Sequence, residues 1–478
     1  MDAFQRELAD RLPLAAAALA AFDFAFDAAT LDALYEAHRG RCYTDSLEFP
    51  DLLRLVRDCL LEHDGSGHRG CVEAARAGTM PVDESSFYRK LANMPVAVGR
   101  ALLSGCTARL GDLVDVPRAD LLPGCFEGFE AVALDGKKVK RAARRLRPTR
   151  GYTGALIGAK ALVAMSLRTG LALAMSDSLD GEANDVPLVP ELLPQVRAVV
   201  ARPVLWVADR QFGCAPDVAR QMAARAGDHY VLRVTRCVTF TPDPAVPAVR
   251  SRDDRGRAVV DEVGTLGKGP RATRVRRVTL ARAADDGDGG DGGDDVVLIT
   301  DLLDAKAFPA GDLLALYRRR WGIERMFQEV TETFALDHLI GCGPKAVLFQ
   351  LAFCLLMYNL VQVVKRYVAA DGGVDAAVVS THNLFYDVRR ELTAWSYLGA
   401  DPGDGAGGAG GADAPRDAAA VRARLAALLA GCWDAVAYTK AADKRPRPRP
   451  PKTKSLTGGH TSVQRLLDGR VSVRATKG

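Results

Sequence analysis

The 478-residue chain has no CxxC pair and no uninterrupted run of the roughly 20 apolar residues that a membrane-spanning helix needs. Its ten cysteines, at positions 42, 59, 71, 106, 125, 214, 237, 342, 354 and 432, are scattered rather than grouped. That excludes a compact disulfide framework and suits a reducing cytoplasm. Residues 346–364 come nearest to a span, but Gln350, Asn359 and Gln362 interrupt them, so a buried core helix is expected. The N-terminal Ala/Leu stretch is flanked by acids and carries its charges at helical spacing, which reads as an amphipathic helix and not as a secretory signal. An excess of one charge sign is also missing: 64 Lys and Arg stand against 59 Asp and Glu, and the net +5 says little about partners. No heptad pattern marks a dimer seam.

What is present is unevenly placed. Residues 137–150, KKVKRAARRLRPTR, contain no acid, and KRPRPRPPKTK near the C-terminus is almost as one-sided. Each run can neutralise several phosphates, although a single such run is as readily a solvated surface. With 48% hydrophobic residues and a length beyond the roughly 250–300 at which one core stops growing, the chain is expected to form two or three domains.

Residues 1–125 read as helical, with periodic Leu/Ala stretches broken at Pro50, Pro81 and Pro95. Within them, VDESSFYRKLANMPVAVGRALLSG predicts two short helices, the first capped by Asp83 or Ser85. The pair is compatible with a helix-turn-helix presenting Tyr88, Arg89 and Lys90 to DNA, or with an ordinary helical pair. From Gly128 the pattern changes. FEAVALDG predicts a strand stopping at Asp135, and ALVAMSLRT and GLALAMSDS a hairpin about Thr169-Gly170. Residues 186–200 predict a helix interrupted at Pro194, PVLWVADR a buried strand ending at Asp209, 215–226 a helix and HYVLRVT a further strand. This order suits an α/β fold with a ribonuclease-H-like catalytic core, a mixed sheet with helices on its faces.

The expected division is a helical region over 1–125, the core over 126–235 and 306–370, a β-rich insertion over 236–305, and a helical region with flexible linker and basic tail over 371–478. The acidic DDGDGGDGGDD stretch lacks a regular nonapeptide period and reads as a loop, not a calcium-binding repeat. The Gly/Ala linker near 399–415 and the tail are expected to be mobile.

Phosphodiester cleavage and strand transfer require in-line attack at phosphorus, assisted by paired Mg²⁺ ions held by hard oxygen ligands. Asp135 and Asp209 suit such a site, because each closes an apolar strand, where an acid is a poor core residue and its position places it at the sheet edge. One Asp closing a strand is usually a turn or helix cap, whereas two in order followed by a suitable helix are less easily explained so. That helix is PAGDLLALYRRRWGIERMFQEVTETF, in which Tyr317, Arg320, Glu324, Gln328 and Thr331 share one face. Ile323, Phe327, Val330 and Phe334 form the adjacent apolar stripe. Arg320–Glu324 taken alone would be an ordinary i,i+4 ion pair.

LDGKKV with Asp135, WVADRQFG with Asp209 and LYRRRWGIERMFQEV with Glu324 resemble the three signature regions of DDE transposases of the IS-four insertion-sequence family. The helix resembles that family's Y-(2)-R-(3)-E-(6)-K motif: Tyr317, Arg320 and Glu324 match, and Thr331 stands where the lysine is expected. The resemblance covers roughly residues 80–365. The separations of 74 residues between the aspartates and 115 from Asp209 to Glu324 are also like the family, whose long second gap houses a β-rich insertion.

The resemblance implies Asp135, Asp209 and Glu324 as catalytic ligands of Mg²⁺ or Mn²⁺. It further implies cut-and-paste transposition through a hairpin intermediate, with Tyr317 and Arg320 gripping DNA phosphates. Lys137, Lys138, Arg210 and Arg325 are the neighbouring bases expected to contact DNA, with Arg325 the candidate to replace the missing lysine. The insertion has no tryptophan, so an aromatic holding a flipped base there would have to be Phe240. The implied partners are double-stranded terminal repeats and target DNA, with a homodimer on DNA, in a bacterial cytoplasm at the nucleoid.

Competing readings exist. Asp185, in SLDGEAND, is an alternative second carboxylate, but it precedes a helix and an N-cap role is simpler. Cys59, His63, His68 and Cys71 have an order unlike the usual Cys₂His₂ spacing, which argues against zinc. A decayed or domesticated derivative that binds DNA without cutting would account for Thr331, against the intact carboxylates. A ribonuclease-H-like nuclease acting on general substrates would not need the Tyr317/Arg320 helix.

Overall fold

A computed structural model describes residues 3–42, 46–63, 65–114, 122–140, 146–152, 154–235, 238–281, 295–333, 336, 339–398, 417–440 and 459–471. The acidic Asp/Gly loop, the Gly/Ala linker, most of the basic tail, residues 141–145 of the first basic run and Phe334 lie outside them.

Among the described residues seven helices come first: α1 (Ala3–Arg11), α2 (Pro13–Ala25), α3 (Ala28–His38), α4 (Phe49–Leu61), α5 (Gly67–Arg76), α6 (Glu84–Asn93) and α7 (Val96–Asp112). The sheet elements follow as β1 (Glu130–Val139), β2 (Ala155–Ile157), β3 (Ala159–Ser166), β4 (Ala172–Ser178), α8 (Val189–Val199), β5 (Val204–Ala208), α9 (Arg210–Gly213), α10 (Pro216–Met222) and β6 (His229–Val234). Next are β7 (Phe240–Pro242), β8 (Val249–Arg252), β9 (Ala258–Leu266), β10 (Thr273–Leu280) and β11 (Val296–Thr300). The chain ends with α11 (Ala310–Arg319), α12 (Trp321–Glu332), α13 (Pro344–Asp371), α14 (Thr381–Leu398), α15 (Ala418–Leu428), α16 (Ala435–Tyr438), β12 (His460–Ser462) and α17 (Val463–Leu467).

Among the described residues, ten strands form one mixed sheet in the order β4-β3-β1-β5-β6-β11-β10-β9-β7, with β8 also on β9. β3 is antiparallel to both β4 and β1, and β1, β5 and β6 are mutually parallel. The strands at 240–300 extend this sheet from β6 through β11 rather than forming a separate one. Period-two alternation sorts β1 between two faces: Val132 and Leu134 pack with Leu192 and Val196 of α8, whereas Ala131 and Ala133 face the side of α11 and α12.

α13 is the central pillar. Its 28 residues are long and apolar enough to cross a membrane by length and composition, and its most apolar window is entirely buried inside the protein. The interrupting polar groups have partners there. Asn359 Nδ2 donates to Thr107 Oγ1 and to Ala172 O, both at 2.8 Å, and its Oδ1 accepts the Ala172 N–H, tying α13 to α7 and β4.

The structure departs from the sequence reading in five places. β1 does not stop at Asp135 but runs on to Val139, because β3 still pairs with it after β5 has ended. Pro194 lies inside α8 without interrupting it. Arg320 divides the Glu324 helix: its N–H bonds Tyr317 O and its O accepts Ile323 N–H, both at 3.0 Å, a tightened turn between halves packed on different clusters. Of the proposed DNA-reading trio only Arg89 is exposed, since Lys90 bonds Leu47 O and α7, the second helix of the pair, is buried against α13 and β4. Asp83 does cap α6, accepting the Ser86 N–H at 2.6 Å. Finally, residues 459–471 of the tail are docked: β12 adds in parallel to β2, and Val463 and Leu466 are buried.

Candidate active site

The parallel ladder of β1 and β5 ends with Leu134 opposite Ala208. The next residue on each strand is an aspartate, so the sheet itself brings Asp135 and Asp209 side by side where the pairing stops. Asp209 closes β5 and caps α9, accepting the Arg210 N–H at 2.6 Å. Asp135 accepts the Gly136 N–H at 2.8 Å and points to the face covered by α12. Burial pushes its carboxyl up to about 6; the Gly136 N–H and Arg320 oppose that shift, and the like charges of Glu324 and Asp185 reinforce it.

Glu324 comes from the first turn of α12. Arg320, 6% exposed, sits at the break between α11 and α12 and donates to Glu324 Oε1 at 3.0 Å. Its charge also acts on Asp135 and Asp209, and its Nε–H is buried with no acceptor among the described residues. Tyr317, on the last turn of α11, donates its hydroxyl to Asp209 Oδ1 at 3.3 Å. The break at Arg320 therefore lets one segment reach both aspartates, Tyr317 toward Asp209 and Glu324 toward Asp135.

A cleft of about 800 Å³ opens beside these groups, between the overhanging half of β1, the loop before α8 and the exposed side of α12. Lys137, Lys138, Lys140 and Lys160 line it, with Gln211 and Gln328. Lys137 Nζ donates to Thr331 Oγ1 at 2.5 Å and to Phe327 O at 3.1 Å. Arg325 is exposed on another side of α12, where its charge reaches Glu329 and Lys440, so the cation beside Thr331 is Lys137 and not Arg325. Arg210 is half-buried at the start of α9. Phe240 is half-buried, with the Arg277 guanidinium 3.9 Å from its ring centroid and Gly264 so close that a Cβ there would lie 2.6 Å from the ring edge.

Asp185 does not serve as an N-cap, for its side chain makes no cap hydrogen bond. It pairs instead with Lys160 Nζ at 2.6 Å and accepts from Gln211 Nε2 at 2.5 Å. Lys160 and Gln211 were not singled out from sequence. A lysine inside the apolar run AKALVAMS was the available signal, since a buried ammonium requires an anionic partner. In the N-terminal region, Cys59 and Cys71 are buried thiols and His68 pairs with Glu84 at 3.0 Å.

Among the described residues, no three His, Cys, Asp or Glu side chains converge tightly enough to hold a metal ion. The donor set nevertheless fits a hard divalent cation. It is all carboxylate oxygen, and crowding of like charge around a half-desolvated Asp135 is what such an ion relieves.

Residues 127–360 match the family described as Transposase DDE domain. All three acidic candidates lie inside the matched span, which is similar to a transposase DDE domain. No curated protein matches the chain. Among solved structures, the cryo-EM structure of the piggyBac transposase synaptic complex with hairpin DNA is similar at 13% identity over 92% of this chain and 87% of that chain. Its TM-score is 0.40.

Proposed function

We propose that the chain is an insertion-sequence transposase of the IS-four family, which cuts the ends of its element and joins them to target DNA by a cut-and-paste route. The observation that carries this reading is the register of β1 and β5, which sets Asp135 and Asp209 next to each other at the end of a parallel pair, with Glu324 delivered beside them. The strand order, three antiparallel strands followed by two parallel additions with helices on both faces, supports a ribonuclease-H-like core. Asp135, Asp209 and Glu324 would hold Mg²⁺ or Mn²⁺, which when bound supplies charge stabilisation to in-line attack at phosphorus.

The chain's own residues do the rest. Arg320 offers its unpaired Nε–H to a phosphate oxygen, a charge-assisted bond made stronger by burial. Tyr317 steadies Asp209, Lys137 and Lys138 place positive charge along the cleft on which a phosphodiester backbone would lie, and Arg210 would meet DNA from the start of α9. Two element ends must be cut together, so a homodimer on DNA is expected, acting in the bacterial cytoplasm at the nucleoid.

The test is cleavage of a duplex carrying the element's own terminal repeat, with Mg²⁺, by wild type and by Asp135→Ala, Asp209→Ala and Glu324→Ala. Nicking at the repeat end that each substitution abolishes supports the reading. Binding without cutting by the wild type would favour a decayed, DNA-binding derivative.

A further inference from the structure

We propose that Asp185 is a positioning residue that fixes the segments bearing Asp135 and Asp209 relative to one another. The inference rests on the transposase reading above and goes beyond it by assigning a part to a carboxylate outside the Asp-Asp-Glu set.

The β1–β5 ladder stops at Leu134 and Ala208, one residue short of both aspartates, so backbone pairing does not hold the two together beyond that point. Asp185 supplies a connection there. Its carboxylate rests against Gly136, the residue after Asp135: a Cβ at Gly136 would lie 2.2 Å from Asp185 Oδ1. By strand alternation that vacant position is on the face opposite the Asp135 side chain, so Asp185 braces the strand from beneath. Its other oxygen accepts from Gln211, two residues after Asp209 on α9. One side chain therefore spans from the Asp135 strand to the Asp209 helix, and Lys160 on β3 neutralises it at 2.6 Å.

Oδ2 accepts from Gln211, Oδ1 lies in ion-pair contact with Lys160 without a hydrogen bond among the described residues, and the side chain is 8% exposed, which suits a brace held between β3 and α9. A buried ion pair is a poor source of stability compared with apolar packing of the same volume. Geometry at the site is the better account of it, as with groups that orient metal-binding side chains from behind. The loop carrying Asp185 is itself anchored. Gly181 N–H donates to Ser462 Oγ at 2.9 Å, and Arg465 reaches Asp180 at 2.9 Å and Glu182 at 2.7 Å.

The experiment compares wild type, Asp185→Asn, the exchange Asp185→Asn/Gln211→Glu, Gly136→Ala and Asp209→Ala in three measurements. These are cleavage of the terminal-repeat duplex at saturating Mg²⁺, Mn²⁺ binding to the free protein by electron paramagnetic resonance, and the thermal midpoint. Asp185→Asn is expected to lower the cleavage rate and weaken Mn²⁺ binding by roughly 10–100-fold while the protein stays folded. The exchange reverses the hydrogen bond, with the new amide donating to the new carboxylate, and is expected to recover most of that loss. Gly136→Ala keeps every polar group but pushes the brace away, and is expected to lose activity in the same range.

Wild-type rates in both Asp185→Asn and Gly136→Ala overturn the proposal. So does an Asp185→Asn as inert as Asp209→Ala that the exchange does not rescue, since that result makes Asp185 a ligand. Should Asp185→Asn fail to fold, Gly136→Ala decides: folded and slow supports the brace, folded and fast removes it. Failure of the wider transposase reading looks different, because the wild type itself would then not cut, or Asp209→Ala would cut as wild type does.

Discussion

Lys137 Nζ lies 2.5 Å from Thr331 Oγ1, so that a strand lysine meets the helix at the position where the Y-R-E-K pattern expects the helix to carry its own. The ammonium is also 5.4 Å from the Phe327 ring centroid and bonds Phe327 O, and burial brings its pKa down to about 8. The threonine thus leaves the charge in place and changes the element that supplies it. Lys137→Met is expected to weaken duplex binding and to reduce the slope of log affinity against log salt by about 0.9, the share of one phosphate contact. Thr331→Lys in the Lys137→Met background should restore both, whereas Thr331→Lys alone sets two ammonium groups together and should not improve binding. Salt titrations of the four proteins check this; an unchanged slope in Lys137→Met would remove the lysine from the DNA interface.

Arg276 on β10 is fully buried and makes a two-point pair with Asp261 on β9, at 2.8 and 2.6 Å. Its third attachment, to Phe308 O at 2.6 Å, reaches the loop that leads into α11. The inserted strands are therefore fastened to the segment carrying Tyr317, Arg320 and Glu324. Arg276→Ala leaves Asp261 buried without its partner and is expected to cost about 3–5 kcal/mol. Arg276→Met/Asp261→Leu removes both charges and should recover at least half of that. Urea unfolding of the single and double variants measures the difference, and equal losses in the two would argue against the pair as the cause.

His229 Nδ1 and Asp301 Oδ2 are 3.0 Å apart at the junction of β6 and β11, and the hydrogen bond to Asp301 raises the histidine pKa above its ordinary 6.5. The folded state then holds the proton more tightly than the unfolded chain does. Its contribution is complete below the unfolded value and is lost as pH rises through the raised folded value. The thermal midpoint of the wild type should fall more between pH 6 and pH 8 than that of His229→Gln. Parallel midpoints across that window would show that this pair does not contribute.

The elements around the site were legible because each has a local signal: VALD and WVAD are apolar runs followed by an acid, and the Leu, Ile, Phe and Val spacing of 313–330 is helical. What joins them was less so. The break at Arg320 arises because α11 and α12 pack on different clusters, which a 3.6-residue period does not report. Lys160, Gln211 and Asp185 meet only after β3, α9 and the loop before α8 are in place, and none of the three is near another in a common motif. Tyr88 and Lys90 were misplaced for a related reason, since the periodicity of α6 and α7 shows that one face is apolar but not that α13 buries the second helix.

The docked tail yields a last prediction, because its contacts converge on the loop that carries Asp185. Ser462 Oγ accepts the buried Gly181 N–H, the Ser462 N–H reaches Glu182 Oε2 at 3.3 Å, and β12 pairs with β2 through Leu156 and Ile157. Gly181 has no room to adapt, as a Cβ there would lie 2.3 Å from the Ile157 side chain. Ser462→Ala leaves that amide without an acceptor and is expected to speed its hydrogen exchange. Truncation after residue 458 should speed exchange at Gly181 and through 155–157 together, with little change in β5 or α13. Arg465→Ala, removing a side chain about one-third exposed, should give a smaller effect of the same pattern. If the tail acts through this loop, the truncated protein should also lose cleavage by a factor near that of Asp185→Asn, and combining the two changes should cost little more than either alone. Full additivity of the two losses would mean that the tail affects cutting by another path.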